Sequence, residues 1–195
     1  KIIKRKSNKF FSRSDVFSII FKNISFKSKV ITSTGFNSRE AINHNSKKIK
    51  KIYLVGGMGH TFSVSLGLSL KEKKHKIICI DGDGSFFMHL GSFGMLSKNI
   101  NKNFIYILLD NEQHESVGNV KVDLSLDVKN FAKSVGFEKY VLIDNKNKQH
   151  LIRKHLKNKR ILTFIHIKTK IDYKISLPRP KNLIKIKNDF LSKNN

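Results

Sequence analysis

Short apolar runs alternate along the chain with segments of helical periodicity, and this alternation predicts an α/β fold. The clearest strands are two continuous apolar runs, 76–80 and 104–109, which are typical of strands buried on both faces of a sheet. Between them, 85–96 has the apolar spacing of a helix. Because strands that alternate with helices form parallel sheets with crossover helices, we predict a mostly parallel central sheet with helices on both faces.

Weaker patterns extend this alternation over most of the chain. Further strands are predicted at 29–33, 53–55, 140–143 and 161–167. Further helices are predicted at 16–24, 38–42, 61–70, 127–135, 148–156 and 183–191. Ser14 and Asp15 are the predicted cap of the first helix. The sequence contains no internal repeat.

The polar segments suggest how the chain is organised. Residues 1–13 are basic and predict a frayed arm, and the Lys-rich stretch 43–51 predicts a loop. Residues 14–175 form the predicted ligand-binding domain, and 176–195 form an extension with a docking helix. A length of 195 residues suits one domain.

The charge is strongly positive, because 39 Lys and Arg face 14 Asp and Glu, a net charge of +25. Such a charge is typical of nucleic-acid binding, and a non-catalytic basic binding module is therefore one hypothesis. The lysines are spread along the whole chain, however, and no zinc-finger spacing, aromatic strand motif or basic-region helix accompanies them. A solvated surface is the favoured interpretation.

Composition also narrows the classes of protein. A single cysteine excludes a disulfide framework and any multi-cysteine metal site. No apolar run approaches the roughly 18–20 residues of a membrane span, so we expect no membrane partner and a cytoplasmic location. Since the first residue is not Met, we expect a fragment or a processed form.

Two polar clusters follow the two clearest strands, at 82–85 and 110–113. Ligands of open α/β sheets bind beyond the carboxyl ends of strands, and glycines with a helix N-terminus suit a phosphate there. The carboxylate of Asp83 would repel that phosphate unless a cation lay between them. We therefore predict a divalent ion, Mg²⁺ by its oxygen ligands, held by Asp83 and Asn111. The alternative is a simple turn at 82–84 with Asn111 as a helix cap.

The two clusters together resemble the cofactor signature of thiamine-diphosphate-dependent enzymes, which is Gly-Asp-Gly, a spacer and Asn-Asn. Here it stands as Gly82-Asp83-Gly84 and Asp110-Asn111, with Asp110 in place of the first Asn. The resemblance implies the thiamine-diphosphate-binding fold, with Mg²⁺ bound by Asp83, Asn111 and the backbone carbonyl of Gln113.

Other segments extend the resemblance to the rest of the cofactor. Gly56-Gly57-Met58-Gly59 is similar to the family's aminopyrimidine segment, which implies that the carbonyl of Gly56 accepts from the amino group and that Met58 is an apolar wedge. The implied cofactor-binding residues are Thr34, Gly35, Gly56, Gly57, Met58, Gly82, Asp83, Gly84, Ser85 and Asn111.

The motifs resemble phosphonopyruvate decarboxylases in particular. The similar segments are 33–40, 56–60, 81–92 and 111–118, with a looser match at 177–180. Asn119-Val120 departs from the family's Gly-Gln. The implied reaction is the decarboxylation of a 2-oxo acid, 3-phosphonopyruvate to phosphonoacetaldehyde and CO₂. Sulfopyruvate decarboxylase β subunits and acetolactate-synthase-like proteins share much of this pattern and remain alternatives.

Three side chains in these motifs are candidates for contact with a small anionic 2-oxo acid. His60 and His114 could bind the anion or move a proton, and Ser116 could donate a hydrogen bond. The alternative for each histidine is a hydrogen-bonded loop residue.

The resemblance also implies a partner. In the family, a glutamate of a separate pyrimidine-binding domain or subunit activates the cofactor, and 195 residues are about half of such an enzyme. We expect this chain to be the diphosphate-binding half, inactive alone, in a dimer or an α2β2-type assembly.

Overall fold

The computed structural model describes residues 8–44, 49–96, 102–122, 125–158, 161–172 and 176–192. Its central strands are β1 (Lys29–Thr32), β2 (Lys50–Tyr53), β3 (Ile77–Gly82), β4 (Phe104–Asp110), β7 (Lys139–Ile143) and β8 (Thr163–Lys168). They pair in the order β2-β1-β3-β4-β8-β7, and every pairing is parallel. The predicted parallel sheet is confirmed.

Helices cover both faces of this sheet, as predicted. They are α1 (Arg13–Asn23), α2 (Phe36–Asn43), α3 (Thr61–Lys71), α4 (Asp83–Met88), α5 (Val128–Ser134), α6 (Gln149–Lys157) and α7 (Leu183–Leu191). Helices α1, α2 and α6 pack on one face, and α3, α4, α5 and α7 supply buried residues to the other. No helix within these described ranges combines the length and the apolar character needed to cross a membrane.

The inner strands show why their sequences are continuously apolar. In β3, Ile78 and Ile80 belong to one core, whereas Ile77 and Cys79 belong to the other. All seven residues of β4 are buried. A strand covered on both faces has no solvent side, so alternation of polar and apolar residues is lost.

The start of α1 differs from the prediction. Ser12, not Ser14, is the cap: its Oγ accepts from the backbone N–H of Asp15 at 3.0 Å, and the Asp15 carboxylate accepts from the N–H of Ser12 at 3.0 Å. This reciprocal capping box needs an acidic residue three positions after the serine. Phe11 is buried, so the described end of the predicted arm packs on the domain. Residues 1–7 of that arm and 45–48 of the predicted loop lie outside the described residues.

The helix predicted at 85–96 is divided in two. Helix α4 ends at Met88, His89 has φ −137°, and a 3₁₀ helix covers Leu90–Met95. Two glycines in the second half explain the change, because glycine disfavours a continuous α-helix. A hairpin of β5 (Gln113–His114) and β6 (Val120–Lys121) was not predicted, since two-residue strands have no detectable period.

Glu72 joins the end of α3 to β1 and to its own loop. Its carboxylate pairs with Nζ of Lys29 at 3.0 Å and accepts hydrogen bonds from the backbone N–H groups of Lys74 at 3.0 Å and His75 at 3.2 Å. Burial acts to raise the pKa of Glu72, but these hydrogen bonds outweigh it and lower the pKa to about 2. The ionised carboxylate therefore stabilises the folded chain.

We expect Glu72→Gln to lower the free energy of unfolding by about 1 kcal/mol at neutral pH. Because the folded pKa lies below the ordinary 4.5, the stabilisation is complete above that pH and disappears as the pH falls towards 2. Urea denaturation of both proteins at neutral pH and near pH 3 measures this. Asp189→Asn, in an exposed pair with Lys185, is the control with little effect. An equal penalty at both pH values would contradict the assignment.

Candidate functional site

Segments that follow four strands of the sheet line one cavity at its carboxyl edge. Ser33 and Thr34 follow β1, 82–85 lies at the end of β3, 113–116 comes after β4, and Thr169 follows β8. The strand order reverses here, because β2 lies on one side of β1 and β3 on the other. Such a switch point opens a crevice in which α/β proteins bind ligands.

The two sequence clusters meet in this cavity. Strands β3 and β4 pair with Gly82 opposite Leu109, so Asp83 lies beside Asn111. Oδ2 of Asp83 accepts from the backbone N–H groups of Asn111 and Gln113, both at 3.2 Å, and Oδ1 of Asn111 accepts from the N–H of Gln113 at 3.0 Å. The predicted closeness of positions 83 and 111 is confirmed. The three predicted oxygen ligands belong to Asp83, Asn111 and Gln113, which these hydrogen bonds join to one another.

Asp110, the departure from the family motif, is fully buried and paired. Nε2 of His166 lies 2.7 Å from its Oδ2, and Nζ of Lys168 contacts the same oxygen. Burial acts to raise the pKa of Asp110, but the hydrogen bond from His166 and the charge of Lys168 outweigh it, and the pKa is lowered. Nδ1 of His166 lies 2.8 Å from the hydroxyl of Tyr140, which completes a buried polar chain. Strand β8 therefore supplies the charges that compensate the aspartate.

Asp83 is also buried, and no lysine, arginine or histidine among the described residues forms an ion pair with its carboxylate. Burial and the charge of Asp110 raise the pKa of Asp83 to about 7, although the backbone N–H groups of Gly84 and Asn111 donate hydrogen bonds that act to lower it. A buried carboxylate needs a positive charge or a proton. A divalent cation bound to its oxygens would supply that charge, and the donor set of carboxylate and amide oxygens suits Mg²⁺.

Glycine is required at two positions beside the cavity. Gly35, between β1 and α2, has φ +82°, and a side chain there would come within 2.9 Å of Oγ of Ser116. A β-carbon on Gly84 would overlap the imidazole ring of His114. Both glycines therefore allow the segment after β4 to pack directly on the backbone of the cavity.

The turn at 56–59 is attached to α4 by a hydrogen bond. The backbone N–H of Gly59 donates to Oγ of Ser85 at 3.0 Å. Gly56 has φ +77°, and Met58 lines the cavity, whereas Gly56 and Gly57 do not. Met58 therefore shares the cavity with Asp83, whereas the first two glycines of the turn lie outside its lining.

The three candidate substrate residues do not lie together. His114 and Ser116 line the cavity with Asp83. His60 is exposed and outside the lining, and its ring lies 4.3 Å from that of His89. The roles of all three stay predictions.

No motif in the sequence indicated Arg13, the first residue of α1, as a site residue. Its side chain is 7% exposed, lines the cavity and contacts the carboxylate of Glu115. We predicted a polar arm that includes Arg13, because a charged residue beside a helix cap is usually exposed to solvent. Only tertiary packing brings it to the carboxyl edge of the sheet.

Oxygen ligands and glycine-rich segments at a switch point are typical of α/β domains that bind ligands in this crevice. A protein-family model described as "Thiamine pyrophosphate enzyme, C-terminal TPP binding domain" matches residues 33–167 of the sequence. The chain belongs to this family. The recognition made from the sequence is confirmed.

Curated relatives fall into two kinds. The sulfopyruvate decarboxylase subunit beta of Methanocaldococcus jannaschii is 32% identical over 128 residues, which are 65% of this chain and 67% of the relative. The phosphonopyruvate decarboxylase of Streptomyces viridochromogenes is 31% identical over 109 residues, which are 55% of this chain and 27% of the relative. The chain also matches 48% of the subunit beta of Methanococcus maripaludis.

Solved structures agree with the fold. A thiamin diphosphate-dependent enzyme from Mycobacterium smegmatis superposes with a TM-score of 0.70 at 12% identity. The thiamine diphosphate-dependent 4-hydroxybenzoylformate decarboxylase of Rhodococcus jostii RHA1 superposes with a TM-score of 0.71 at 14% identity. Each match covers 88% of this chain and 35% of the other. This likeness supports the fold alone.

We expect Gly84→Ala to displace His114 from the cavity, because the new methyl group would overlap its ring. The free energy of unfolding should fall by about 1–2 kcal/mol, and adding His114→Ala should recover most of it. Thermal denaturation and the imidazole NMR signals of His114 report the two effects. Gly94→Ala, where a β-carbon would meet nothing within 4 Å, is the control. An unchanged His114 signal in Gly84→Ala would contradict the packing.

Proposed function

We propose that this chain is the diphosphate-binding half of a thiamine-diphosphate- and Mg²⁺-dependent enzyme that decarboxylates a small anionic 2-oxo acid. The observation that carries the proposal is the contact between the carboxylate of Asp83 and the backbone of Asn111 across adjacent parallel strands. Family membership supports the cofactor, and the named relatives support the reaction.

The metal would bind to Asp83, to Oδ1 of Asn111 and to the backbone carbonyl of Gln113. The first two side chains are buried and already adjacent, so little reorganisation is needed. The uncompensated charge of Asp83 is the physical reason for a cation at this point. Diphosphate oxygens would complete the coordination, as Mg²⁺ usually shares substrate or cofactor phosphates.

When bound, thiamine diphosphate supplies an electron sink for the pair released as the carboxylate of a 2-oxo acid leaves as CO₂. Thr34, Gly35 and 82–85 would border the diphosphate, and Met58 would support the cofactor from below. His114 and Ser116 would face the anionic substrate, His114 through its imidazole and Ser116 through its hydroxyl. His60 and the carbonyl of Gly56 stay proposals for the outer part of the site.

Two substrates remain open within this proposal. Identity does not separate them, because the sulfopyruvate and phosphonopyruvate relatives are 32% and 31% identical to this chain. Sulfonate and phosphonate are both anionic groups on a three-carbon 2-oxo acid, and the cavity offers each the same donors.

A partner completes the proposal. Several relatives are named as subunit beta, which supports a second subunit, and we propose that it supplies a pyrimidine-binding domain with an activating glutamate. The assembly would be a dimer or an α2β2 complex. In this proposal the described cavity would hold the diphosphate side, and the reacting carbon would lie at the boundary with the partner.

We expect Asp83→Ala and Asn111→Ala each to abolish Mg²⁺-dependent binding of thiamine diphosphate while the chain stays folded. Each variant removes an oxygen ligand, and Asp83→Ala also removes the charge that attracts the cation. Calorimetric titration measures binding, and circular dichroism checks the fold. Asp189→Asn, exposed on α7, is the matched control. Cofactor affinity equal to that of the unmodified chain in either variant would remove the metal assignment.

We expect the isolated chain to release no CO₂ from sulfopyruvate or 3-phosphonopyruvate. Adding a subunit that contains a pyrimidine-binding domain should produce release that depends on Mg²⁺ and thiamine diphosphate, and the faster acid identifies the substrate. Turnover by the chain alone would contradict the half-enzyme proposal. Turnover of neither acid with the partner present would contradict the substrate class.

A further inference from the structure

The cavity contains a cationic group that the proposed metal site does not use. Arg13 begins α1, and its side chain is 7% exposed yet lines the same cavity as Asp83. A guanidinium withdrawn from water to this extent is costly unless its donors are paired. The pairing of Arg13 is therefore informative.

That pairing is incomplete. Nη2 of Arg13 contacts Oε2 of Glu115, but the buried Nη1 has no hydrogen-bond partner among the described residues. The guanidinium lies 5.2 Å from the ring centre of Phe36, which covers one face without accepting a conventional hydrogen bond. Nη2 is thus paired with a carboxylate, whereas Nη1 is a buried donor without an acceptor among the described residues.

The carboxylate of Glu115, which contacts Nη2 of Arg13, is itself held in position. Oε1 of Glu115 accepts from the backbone N–H of Asp172 at 3.0 Å, and the Asp172 carboxylate accepts from the backbone N–H of Arg13 at 3.1 Å. The backbone and the side chain of Arg13 are therefore held by the same pair of acidic residues. A donor fixed in this way is oriented before any ligand arrives.

An anion would be a suitable acceptor for Nη1 of Arg13. The other residues of the cavity indicate which anion this is. Arg13, Asp83 and Asn111 line the same cavity, so the guanidinium shares that cavity with the proposed metal ligands. Arginine presents several donors in a planar fork that suits phosphate oxygens.

We infer that Arg13 binds the terminal phosphate of thiamine diphosphate through Nη1, beside the proposed metal ion. The inference rests on the proposed function, since it takes the diphosphate to lie between 82–85 and Asn111. It adds a binding residue from α1, a helix outside the range 33–167 of the family match. Glu115 is the positioning residue that holds the guanidinium.

The variants must remove the positive charge of Arg13 without leaving the buried carboxylate of Glu115 next to no cation. Arg13→Gln alone would leave Glu115 buried and unpaired, so the test uses the double variant Arg13→Gln with Glu115→Gln, which removes both charges. Glu115→Gln alone keeps the cation, and Arg153→Gln, at an exposed arginine of α6, is the matched control. Thermal denaturation checks that each chain is folded.

Amide NMR shifts of the full chain with Mg²⁺ measure the dissociation constants of thiamine diphosphate and thiamine monophosphate. The double variant should bind the diphosphate about 10- to 100-fold more weakly, since a charge-assisted hydrogen bond is lost. Its affinity for the monophosphate, which lacks the terminal phosphate, should stay unchanged. Both single controls should retain the preference for the diphosphate.

The outcomes separate this inference from the proposed function. If the unmodified chain binds the diphosphate and the double variant binds it equally well, Arg13 has only a structural role. Equal losses for the two ligands would also overturn the inference, because they would not involve the terminal phosphate. If the unmodified chain shows no shifts at millimolar diphosphate, the proposed function fails and the inference fails with it.

Discussion

The parallel pairing of β3 with β4 is the constraint on which the site depends. The register places Gly82 opposite Leu109, so the first residues beyond both strands lie at the same level and Asp83 reaches the backbone of Asn111 and Gln113. A shift by one residue would also move every side chain of a strand to the opposite face. Because both faces are packed with apolar side chains, the cores hold the register that the site requires.

Charge balance at the ends of the strands follows from the same arrangement. The sheet brings the carboxylates of Asp83 and Asp110 together, and β8, the next strand, compensates Asp110 with His166 and Lys168. In the described part of the chain, the carboxylate of Asp83 forms no ion pair with a basic side chain. Asp110, which replaces the family's first Asn, is thus paired with His166 and Lys168 on the neighbouring strand. The charge that a divalent ion would balance is that of Asp83.

The inner strands, the two packed faces and the closeness of Asp83 to Asn111 could be predicted, because continuous apolar runs and glycine-bounded polar clusters are local signals. The cap of α1 was placed two residues late, since Ser12 and Ser14 are both suitable and only packing chooses between them. Arg13, His166 and Lys168 could not be assigned to the site from the sequence. They come from elements far away in the chain, and each looks like an ordinary surface or strand residue until the sheet order is known.

The first helix and the exit of the last strand are joined by backbone contacts. Lys170 donates its N–H to the carbonyl of Phe11 at 2.9 Å, and Arg13 donates its N–H to Asp172 at 3.1 Å, across 159 positions. Contacts so distant along the chain form late, because the entropy of closing the intervening loop must be offset first. During synthesis, the nascent polypeptide would therefore leave this wall of the cavity open until Asp172 had left the ribosome.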